Sequence, residues 1–178
     1  QDYYVLGAAQ NSGTSAGSLR LSGNNTFTQN ITVDPDATLI AASPTALGAK
    51  NAITAVGGST IAFDGAGVST DGTQTLNLNG SGAVTNGVGR GVLLNLNGSN
   101  TFAGNVVLQS DITVAVAKAA DTLTLGNNIN VATFNLTKIG PGTFAIAGGT
   151  AAGTKLNSLT INAVSYTHLR AHETGRNL

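Results

Sequence analysis

Leu21-Ser-Gly-Asn-Asn-Thr-Phe-Thr-Gln-Asn30 decides the fold of this chain, because a close copy of it follows further along the sequence. The copy is Leu96-Asn-Gly-Ser-Asn-Thr-Phe-Ala-Gly-Asn105, and six of the ten positions are identical. Internal repetition at this level indicates a stacked architecture, in which each unit has an apolar face that its neighbour covers. A stacked chain is more typical of a scaffold or a binding surface than of an enzyme built around one cleft.

The composition favours short strands and argues against several functional classes. Charged residues make up 9% of the 178 residues, against about 25% in typical soluble domains, and the formal net charge is zero. Gly, Asn, Thr and Val are weak helix formers, so long helices are not expected. The neutral charge argues against nucleic-acid binding, and no apolar run is long enough to span a membrane. Cysteine is absent, which excludes disulfides and thiolate metal sites.

Alternating apolar runs, separated by clusters of Gly, Asn, Ser and Asp, predict strands about eight to twelve residues apart. This spacing is typical of a solenoid, a barrel or a sandwich. We predict an all-β chain folded as a right-handed parallel β-helix, with a β-sandwich as the alternative. The predicted strands are Ser18–Ser22, Gln29–Val33, Ala37–Ala41, Thr60–Phe63, Gln74–Leu78, Val92–Leu96, Asn105–Leu108, Ile112–Ala117, Thr122–Leu125, Asn130–Leu136, Thr143–Ala147 and Ser158–Ile161.

A second recurrence favours the solenoid. Leu78-Asn-Gly-Ser-Gly82 returns as Leu96-Asn-Gly-Ser-Asn100, eighteen residues further on, and we interpret this interval as one turn of a coil. Because side chains alternate across a strand, each turn should point leucines inward and Thr or Asn outward. The predicted inward pairs are Leu76/Leu78, Leu94/Leu96 and Leu123/Leu125.

A longer motif resembles a known family of repeats. Leu136-Thr-Lys-Ile-Gly-Pro-Gly-Thr-Phe-Ala-Ile-Ala-Gly-Gly149 resembles the L-T-K-x-G-x-G-T-L-x-L-x-G element of autotransporter-associated β-strand repeats. Gly23–Asn30 and Gly98–Asn105 are similar to the G-N-N-T-Y-x-G segment of that family, with Phe27 and Phe102 in place of tyrosine. The resemblance implies a bacterial surface or secreted passenger built as a β-helix.

The last fifteen residues lack the strand rhythm of the rest. Val164-Ser-Tyr-Thr-His-Leu-Arg-Ala-His-Glu-Thr174 resembles the conceptual translation of a transposase sequencing adapter, and it contains both histidines, His168 and His172. Segments of foreign origin are excluded from fold reasoning. We therefore predict that 164–178 is not native sequence, and that 1–163 is a β-solenoid segment truncated at both ends that contacts flanking repeats.

The aspartates of the solenoid segment offer few catalytic arrangements. Without histidine or cysteine, residues 1–163 lack an imidazole base and the ligands that zinc prefers. Asp34-Pro-Asp36 is interpreted as a solvated turn. Asp64 and Asp71, with Arg90 or Lys50 nearby, could form the calcium-and-base site of a polysaccharide lyase, but loop solvation is the preferred interpretation because no calcium-binding motif is present.

The remaining motifs receive structural interpretations. Gly87-Val-Gly89-Arg90-Gly91 lacks the G-K-[ST] ending of a phosphate loop and is interpreted as a turn. Gly140-Pro-Gly142 is interpreted as a turn that joins paired strands. Three lysines are interpreted as exposed charges that discourage edge pairing; they are Lys118, Lys138 and Lys155. Alternating threonines place two hydroxyls on one face of a strand and could bind carbohydrate, protein or ice; the pairs are Thr26/Thr28, Thr73/Thr75 and Thr122/Thr124.

The sequence thus predicts a non-enzymatic repeat segment that acts as a display stalk or adhesin-like scaffold, at the bacterial cell surface or secreted. No catalytic, cofactor-binding or metal-binding residue is assigned, and no cofactor is expected. The expected partners are glycans or proteins of neighbouring or host cells, with neither nucleic acid nor a membrane span. The alternative functions are a carbohydrate-binding adhesin face and a β-helix polysaccharide lyase or hydrolase.

Overall fold

The structure, a computed structural model, describes residues 4–6, 17–65, 67–68, 70, 72–85, 88–149 and 156–162. In these ranges the chain is all β, and no helix is present that could cross a membrane. The strands, in chain order, are β1 (Tyr4–Leu6), β2 (Ser18–Leu21), β3 (Ile31–Val33), β4 (Thr38–Ala41), β5 (Ala52–Ala55), β6 (Thr60–Asp64), β7 (Thr75–Gly80), β8 (Val84–Thr85), β9 (Val88–Gly89), β10 (Leu93–Asn97), β11 (Asn100–Phe102), β12 (Asn105–Val116), β13 (Thr122–Leu125), β14 (Ile129–Asn130), β15 (Asn135–Ile139), β16 (Thr143–Ile146) and β17 (Ser158–Asn162).

Parallel pairing stacks these strands into three faces along the axis of a coil. Face A contains β1, β3, β5, β7, the first part of β12 and β14. Face B contains β2, β4, β6, β10, the second part of β12, β15 and β17. Face C contains β11, β13 and β16. The chain passes from A to B to C and repeats this path about six times. This confirms the predicted parallel β-helix and not the alternative sandwich. The right-handed sense of the coil stays a prediction.

The pairing register fixes the length of a turn. Ile31 pairs with Ile53 and Ile53 pairs with Leu76, so the interval between successive partners is one turn of the coil. The next interval, from Leu76 to its partner Val106, is longer because an antiparallel hairpin formed by β8 and β9 is inserted in this turn. The extra residues leave the coil as the hairpin, and the strands before and after it keep their parallel register.

The two decapeptide copies occupy equivalent places three turns apart. Each begins at the end of a face B strand, β2 or β10, and continues toward face C. Phe102 is fully buried, and Phe27 packs against the same core from a half-buried position. The asparagine shared by the copies binds a carbonyl in both places, since Asn25 Nδ2 donates to Ala46 O at 2.8 Å and Asn100 Nδ2 donates to Asn97 O at 2.8 Å.

The eighteen-residue recurrence is not one turn, so this interpretation is wrong. Leu78 lies in β7 on face A and Leu96 lies in β10 on face B, which places both copies in the same turn. The hairpin between the two strands lengthens the interval to nearly that of a full turn. The copies share a local requirement instead, because each strand is followed or ended by a glycine with positive φ, Gly80 and Gly98.

Inward side chains form continuous apolar ladders through the coil. On face B, Leu39, Ile61, Leu93 and Val114 lie in register and are fully buried. Burial of apolar surface stabilises such a ladder by about 25 cal/mol per Å², so each turn stabilises the next. The predicted inward pairs Leu76/Leu78 and Leu123/Leu125 are confirmed.

The predicted inward pair Leu94/Leu96 is wrong, because these leucines point outward. Leu93 and Asn95 occupy the inward positions of β10 and are fully buried. Asn95 is satisfied inside because its Nδ2 donates to Gly98 O at 2.7 Å and its Oδ1 accepts a hydrogen bond from Asn100 Nδ2 at 2.8 Å. β10 carries leucine on both of its faces, and this amide network decides which face points inward.

The predicted strands Asn105–Leu108 and Ile112–Ala117 form one strand, β12, and two further predictions also differ from the structure. Asn130–Leu136 is not one strand, since the chain turns between β14 and β15, where Ala132 has a φ of 44°. Gly140-Pro-Gly142 does not join paired strands, because β15 pairs with β12 and β17 whereas β16 pairs with β13. The motif is a corner of the coil between faces B and C.

Lys138 is not an exposed charge, contrary to the sequence interpretation. It lies at an inward position of face B, in register with Val114, and is only 7% exposed. Its ammonium donates to Gly140 O, which lies at the adjacent corner. Desolvation by burial lowers the pKa of this lysine. Lys118 is exposed as expected, and Lys155 lies outside the described residues.

Candidate functional site

The outward positions of face B form two adjacent columns of opposite character. Alternation along the strands points both columns away from the core, whose inward residues are Leu39 and Ile61. The hydroxyl column consists of Ser18, Thr38 and Thr60, which lie in register. The apolar column consists of Ile40, Ala62 and Leu94, which also lie in register. The surface is therefore amphiphilic across its width.

Thr60 attaches the inserted hairpin to this surface. Its hydroxyl accepts a hydrogen bond from Ala83 N at 3.0 Å and donates to Gly91 O at 3.0 Å, and the residue is 1% exposed. The hairpin base is narrow, because a Cβ on Gly82 would lie 2.2 Å from the Gly91 carbonyl. These contacts hold Arg90, on the returning arm of the hairpin, beside the face B strands.

A groove of about 220 Å³ lies on face B beside the hairpin. The outward leucines of β10 contribute to its lining together with the two columns and the hairpin arginine. Its lining includes Ser18, Thr38, Ile40, Arg90, Leu94 and Leu96. Ala62 and Leu94 are themselves buried, whereas Ile40 and Leu96 are half-buried.

The polar side chains of the groove are available for a ligand. Within the described ranges, the exposed guanidinium of Arg90 makes no ion pair or hydrogen bond, and the same holds for the hydroxyls of Ser18 and Thr38. The Thr60 hydroxyl, by contrast, is fully engaged by the hairpin. The groove thus presents one cation and two hydroxyls without protein partners in the described part of the chain.

The other arginine of face B is neutralised. Arg20 forms an ion pair with the carboxylate of Asp64, and its Nη2 donates to Asp64 O at 3.3 Å. Asp64 is the aspartate considered for a lyase site, and the structure pairs it with an arginine that the sequence interpretation did not select. Sequence spacing provided no signal for this pair, because its members are far apart in the chain and parallel stacking brings them together.

Lys50, which was also considered for a lyase site, lies away from Asp64. Lys50 lies at the corner before β5 on face A, where its N donates to Thr73 Oγ1 at 2.9 Å, whereas Asp64 ends β6 on face B. Asp71 lies outside the described residues. Among the residues described, no group of three or more His, Cys, Asp or Glu side chains could hold a metal ion.

Of the two motifs interpreted as turns, the first is confirmed and the second is wrong, because its described residues include a strand. Asp34-Pro-Asp36 is a turn, with Asp36 exposed at a φ of 64°, so the solvated-turn interpretation is confirmed. In Gly87-Val-Gly89-Arg90-Gly91, Val88 and Gly89 form β9 of the hairpin, and Arg90 N donates to Ala83 O at 3.0 Å. Gly87 lies outside the described residues.

The predicted threonine pairs differ in their location in the structure. Thr122 and Thr124 point outward from β13 on face C, where Thr124 lies in register with Thr101. Thr26 and Thr28 are exposed but lie outside any strand. Thr73 accepts the hydrogen bond from Lys50 N and so holds a corner.

Amide and carboxylate ladders account for much of the remaining polarity. Inside the coil, Gln74 Nε2 donates to Gly48 O at 2.9 Å and to Asn51 Oδ1 at 3.1 Å. At the outer corner between faces A and B, Asp111 accepts hydrogen bonds from Asn135 N at 2.9 Å and from Asn135 Nδ2 at 2.7 Å. These two bonds lower the pKa of Asp111. Such ladders connect successive turns and are structural.

Comparison with protein-family models, with curated proteins and with solved structures finds no match for this chain. The resemblance to autotransporter-associated β-strand repeats therefore stays a prediction. The adapter-like segment 164–178 lies outside the described residues, and its foreign origin also stays a prediction.

Proposed function

We propose that this chain is a non-enzymatic scaffold segment of a bacterial surface or secreted protein, in which the coil serves as a display stalk. The observation that carries the proposal is the parallel register, which continues from turn to turn around a mainly apolar interior. A coil of this kind contacts only its neighbouring turns, so length and stability grow with the number of turns. The resemblance to passenger repeats supports the extracellular location.

The last described strand supports contact with flanking repeats. Leu159 and Ile161 occupy inward register positions of β17, beside Leu136 and Lys138, yet they are 55% and 67% exposed. An inward ladder that remains exposed in this way matches the interior of one further turn. We therefore include neighbouring repeats among the partners of this segment.

Duplication of one turn tests the scaffold role. Because Val106 pairs with Ile129, a second copy of the segment Val106–Asn128 can follow Asn128 in register. Each added copy should raise the melting temperature and lengthen the particle by about 4.8 Å, the spacing of neighbouring strands. Calorimetry and small-angle scattering on a series of one to four copies measure both quantities. Unchanged length, or an unchanged melting temperature, would contradict the proposal.

The location has its own test. Antibodies raised against this chain should label intact cells or the culture medium of the bacterium that produces it. Labelling that requires cell lysis would contradict a surface or secreted location, and it would leave the turn-duplication result unaffected.

Carbohydrate binding by the outer surface is the second candidate function. The observation that favours it is the groove on face B, where Arg90, Ser18 and Thr38 present polar groups without partners among the described residues. A glycan array probed with the intact chain tests this function, and binding must saturate to support it. An array without signal would argue against it.

A further inference from the structure

We propose that the groove on face B binds a carboxylate-bearing sugar unit, with Arg90 as the residue that recognises the carboxylate. This inference rests on carbohydrate binding, the second candidate function, and it names the site and the ligand class. It does not depend on the scaffold role.

The lining of the groove has the same polar and apolar division as a sugar ring. One side of the floor is the hydroxyl column, where Ser18 and Thr38 lie in register with hydroxyls that have no partner among the described residues. The other side is aliphatic and includes Ile40 and Leu94. A sugar ring has the same division, because its hydroxyls project at the edge and its C–H groups form an apolar face. A purely aliphatic ligand would leave the hydroxyl column unmatched.

The charge of the groove selects an acidic sugar. Arg90 is the charged residue in its lining, and its guanidinium is exposed and unpaired within the described part of the chain. Arg20 does not compete for the ligand, because Asp64 neutralises it. A guanidinium binds a carboxylate through two parallel hydrogen bonds, which gives both affinity and orientation.

The dimensions of the groove limit the ligand to a small unit. Its volume of about 220 Å³ lies below the ~300–1,000 Å³ of pockets for drug-sized ligands. The lining extends from Ser18 in the first turn to Leu94 in the fourth, so it crosses three strand spacings, or about 14 Å, along the coil. The volume accommodates one hexuronate unit, whose carboxylate we place at the hairpin end beside Arg90.

The hairpin arginine has a structural reason to be there. The hairpin is an insertion into one turn, and Thr60 bonds its base, next to which Arg90 lines the groove. Insertions in repeat proteins map to loops on one face, and that face is often the binding face. Arg20, on a face B strand, is paired with Asp64, and the inserted hairpin adds Arg90 as a second cation.

Titration of the complete 178-residue chain with D-glucuronate, followed by amide chemical shifts, tests the proposal. We expect saturable shifts at Thr38, Leu94 and Leu96, with a dissociation constant of about 1 mM, as befits one small unit. D-glucose, which lacks the carboxylate, should bind at least about tenfold more weakly, because a charge-assisted hydrogen-bonded pair is lost. Hexanoate, which lacks the hydroxyls, should also bind more weakly than glucuronate.

Two variants, each of which replaces one cationic side chain with glutamine, complete the test. Arg90→Gln should weaken glucuronate binding at least about tenfold. Lys50→Gln, which removes a cation from a distant corner on the face A side, should leave the affinity unchanged. Because Arg90 is exposed, its replacement should leave the circular dichroism spectrum unaltered.

Four results would overturn the proposal: no saturation at about 10 mM ligand, equal affinity for glucose, equal or tighter binding of hexanoate, or an unaffected Arg90→Gln variant. Saturable shifts confined to Thr101, Thr122 and Thr124 on face C would also contradict the groove as the binding site. They would still support carbohydrate binding by this chain. None of these results bears on the turn-duplication test of the scaffold.

Discussion

At the scale of single residues, asparagine explains how a chain with so little charge forms defined corners. Asn100 is buried, and its Oδ1 accepts a hydrogen bond from Val68 N at 2.8 Å while its Nδ2 donates to Asn95 Oδ1. One amide therefore satisfies backbone of the preceding turn and a side chain of its own turn. An amide does this without the desolvation cost of a buried charge.

Lys138 is the exception, and its replacement should stabilise the protein. Lys138→Met keeps an unbranched side chain of similar length at an inward position and removes a desolvated ammonium. We expect the free energy of unfolding at pH 7 to rise by about 1 kcal/mol. Chemical denaturation measures this change, and Lys118→Met at an exposed position is the control. A destabilised Lys138→Met variant would contradict the inference that the buried ammonium of Lys138 lowers stability.

The pH dependence of Lys138 gives a second readout of the same prediction. Burial lowers its pKa below the ordinary value of 10.5, so the folded state releases this proton at a lower pH than the unfolded state. The unfolded state then binds more protons, and the contribution of this group to stability rises with pH between the lowered pKa and 10.5. Wild type should show this rise relative to Lys138→Met when stability is measured from neutral pH up to that value.

At the scale of elements, the attachment of the hairpin rests on one hydroxyl. Thr60→Val preserves the shape of the side chain but leaves Ala83 N and Gly91 O without their partner. Each buried unsatisfied group costs about 1–3 kcal/mol, so the hairpin base should open locally. Hydrogen exchange at Ala83 should accelerate.

Thr38→Val provides the matched control, because its hydroxyl lies in the same column and has no partner among the described residues. Its stability should stay within about 0.5 kcal/mol of wild type. Equal exchange rates at Ala83 in Thr60→Val and in wild type would show that other contacts hold the hairpin.

The last described strand should promote association. β17 exposes Leu159 and Ile161, and edge strands of parallel sheets pair readily with other chains. Replacing both residues with lysine should reduce concentration-dependent association in sedimentation experiments. The change should cost little stability, since both side chains are largely exposed. Unaltered association would show that the chains associate through a surface other than β17.

At the scale of the whole molecule, the register makes a full turn the unit that can be removed. Deletion of the segment Val106–Asn128 places Ile129 where Val106 paired with Leu76, so the remaining strands can stack. We expect a cooperative fold with a lower melting temperature, because one level of the ladder is lost.

Deletion of Val106–Val116 alone is the control. It removes parts of faces A and B but leaves face C of that turn, so the strands that follow lose their partners. This variant should not unfold cooperatively when followed by circular dichroism. Cooperative unfolding of both variants, or of neither, would contradict the turn as the structural unit.

The sequence by itself determined the architecture and much of the core of this protein. Short alternating runs with glycine and asparagine at their ends favour short strands and tight corners, and the repeated decapeptide indicates that the strands stack. The inward pairs Leu76/Leu78 and Leu123/Leu125 follow from alternation, because only one of the two possible faces is apolar in those strands.

Only the tertiary structure decided the orientation of β10, the place of Lys138 and the groove. In Leu93–Asn97 both alternations carry leucine, and the amide network of Asn95 selects the inward face. The motif around Lys138 does not reveal that the position is inward, since that depends on pairing with Val114. The groove combines residues from four turns and an inserted hairpin, and such proximity is a property of stacking register rather than of sequence spacing.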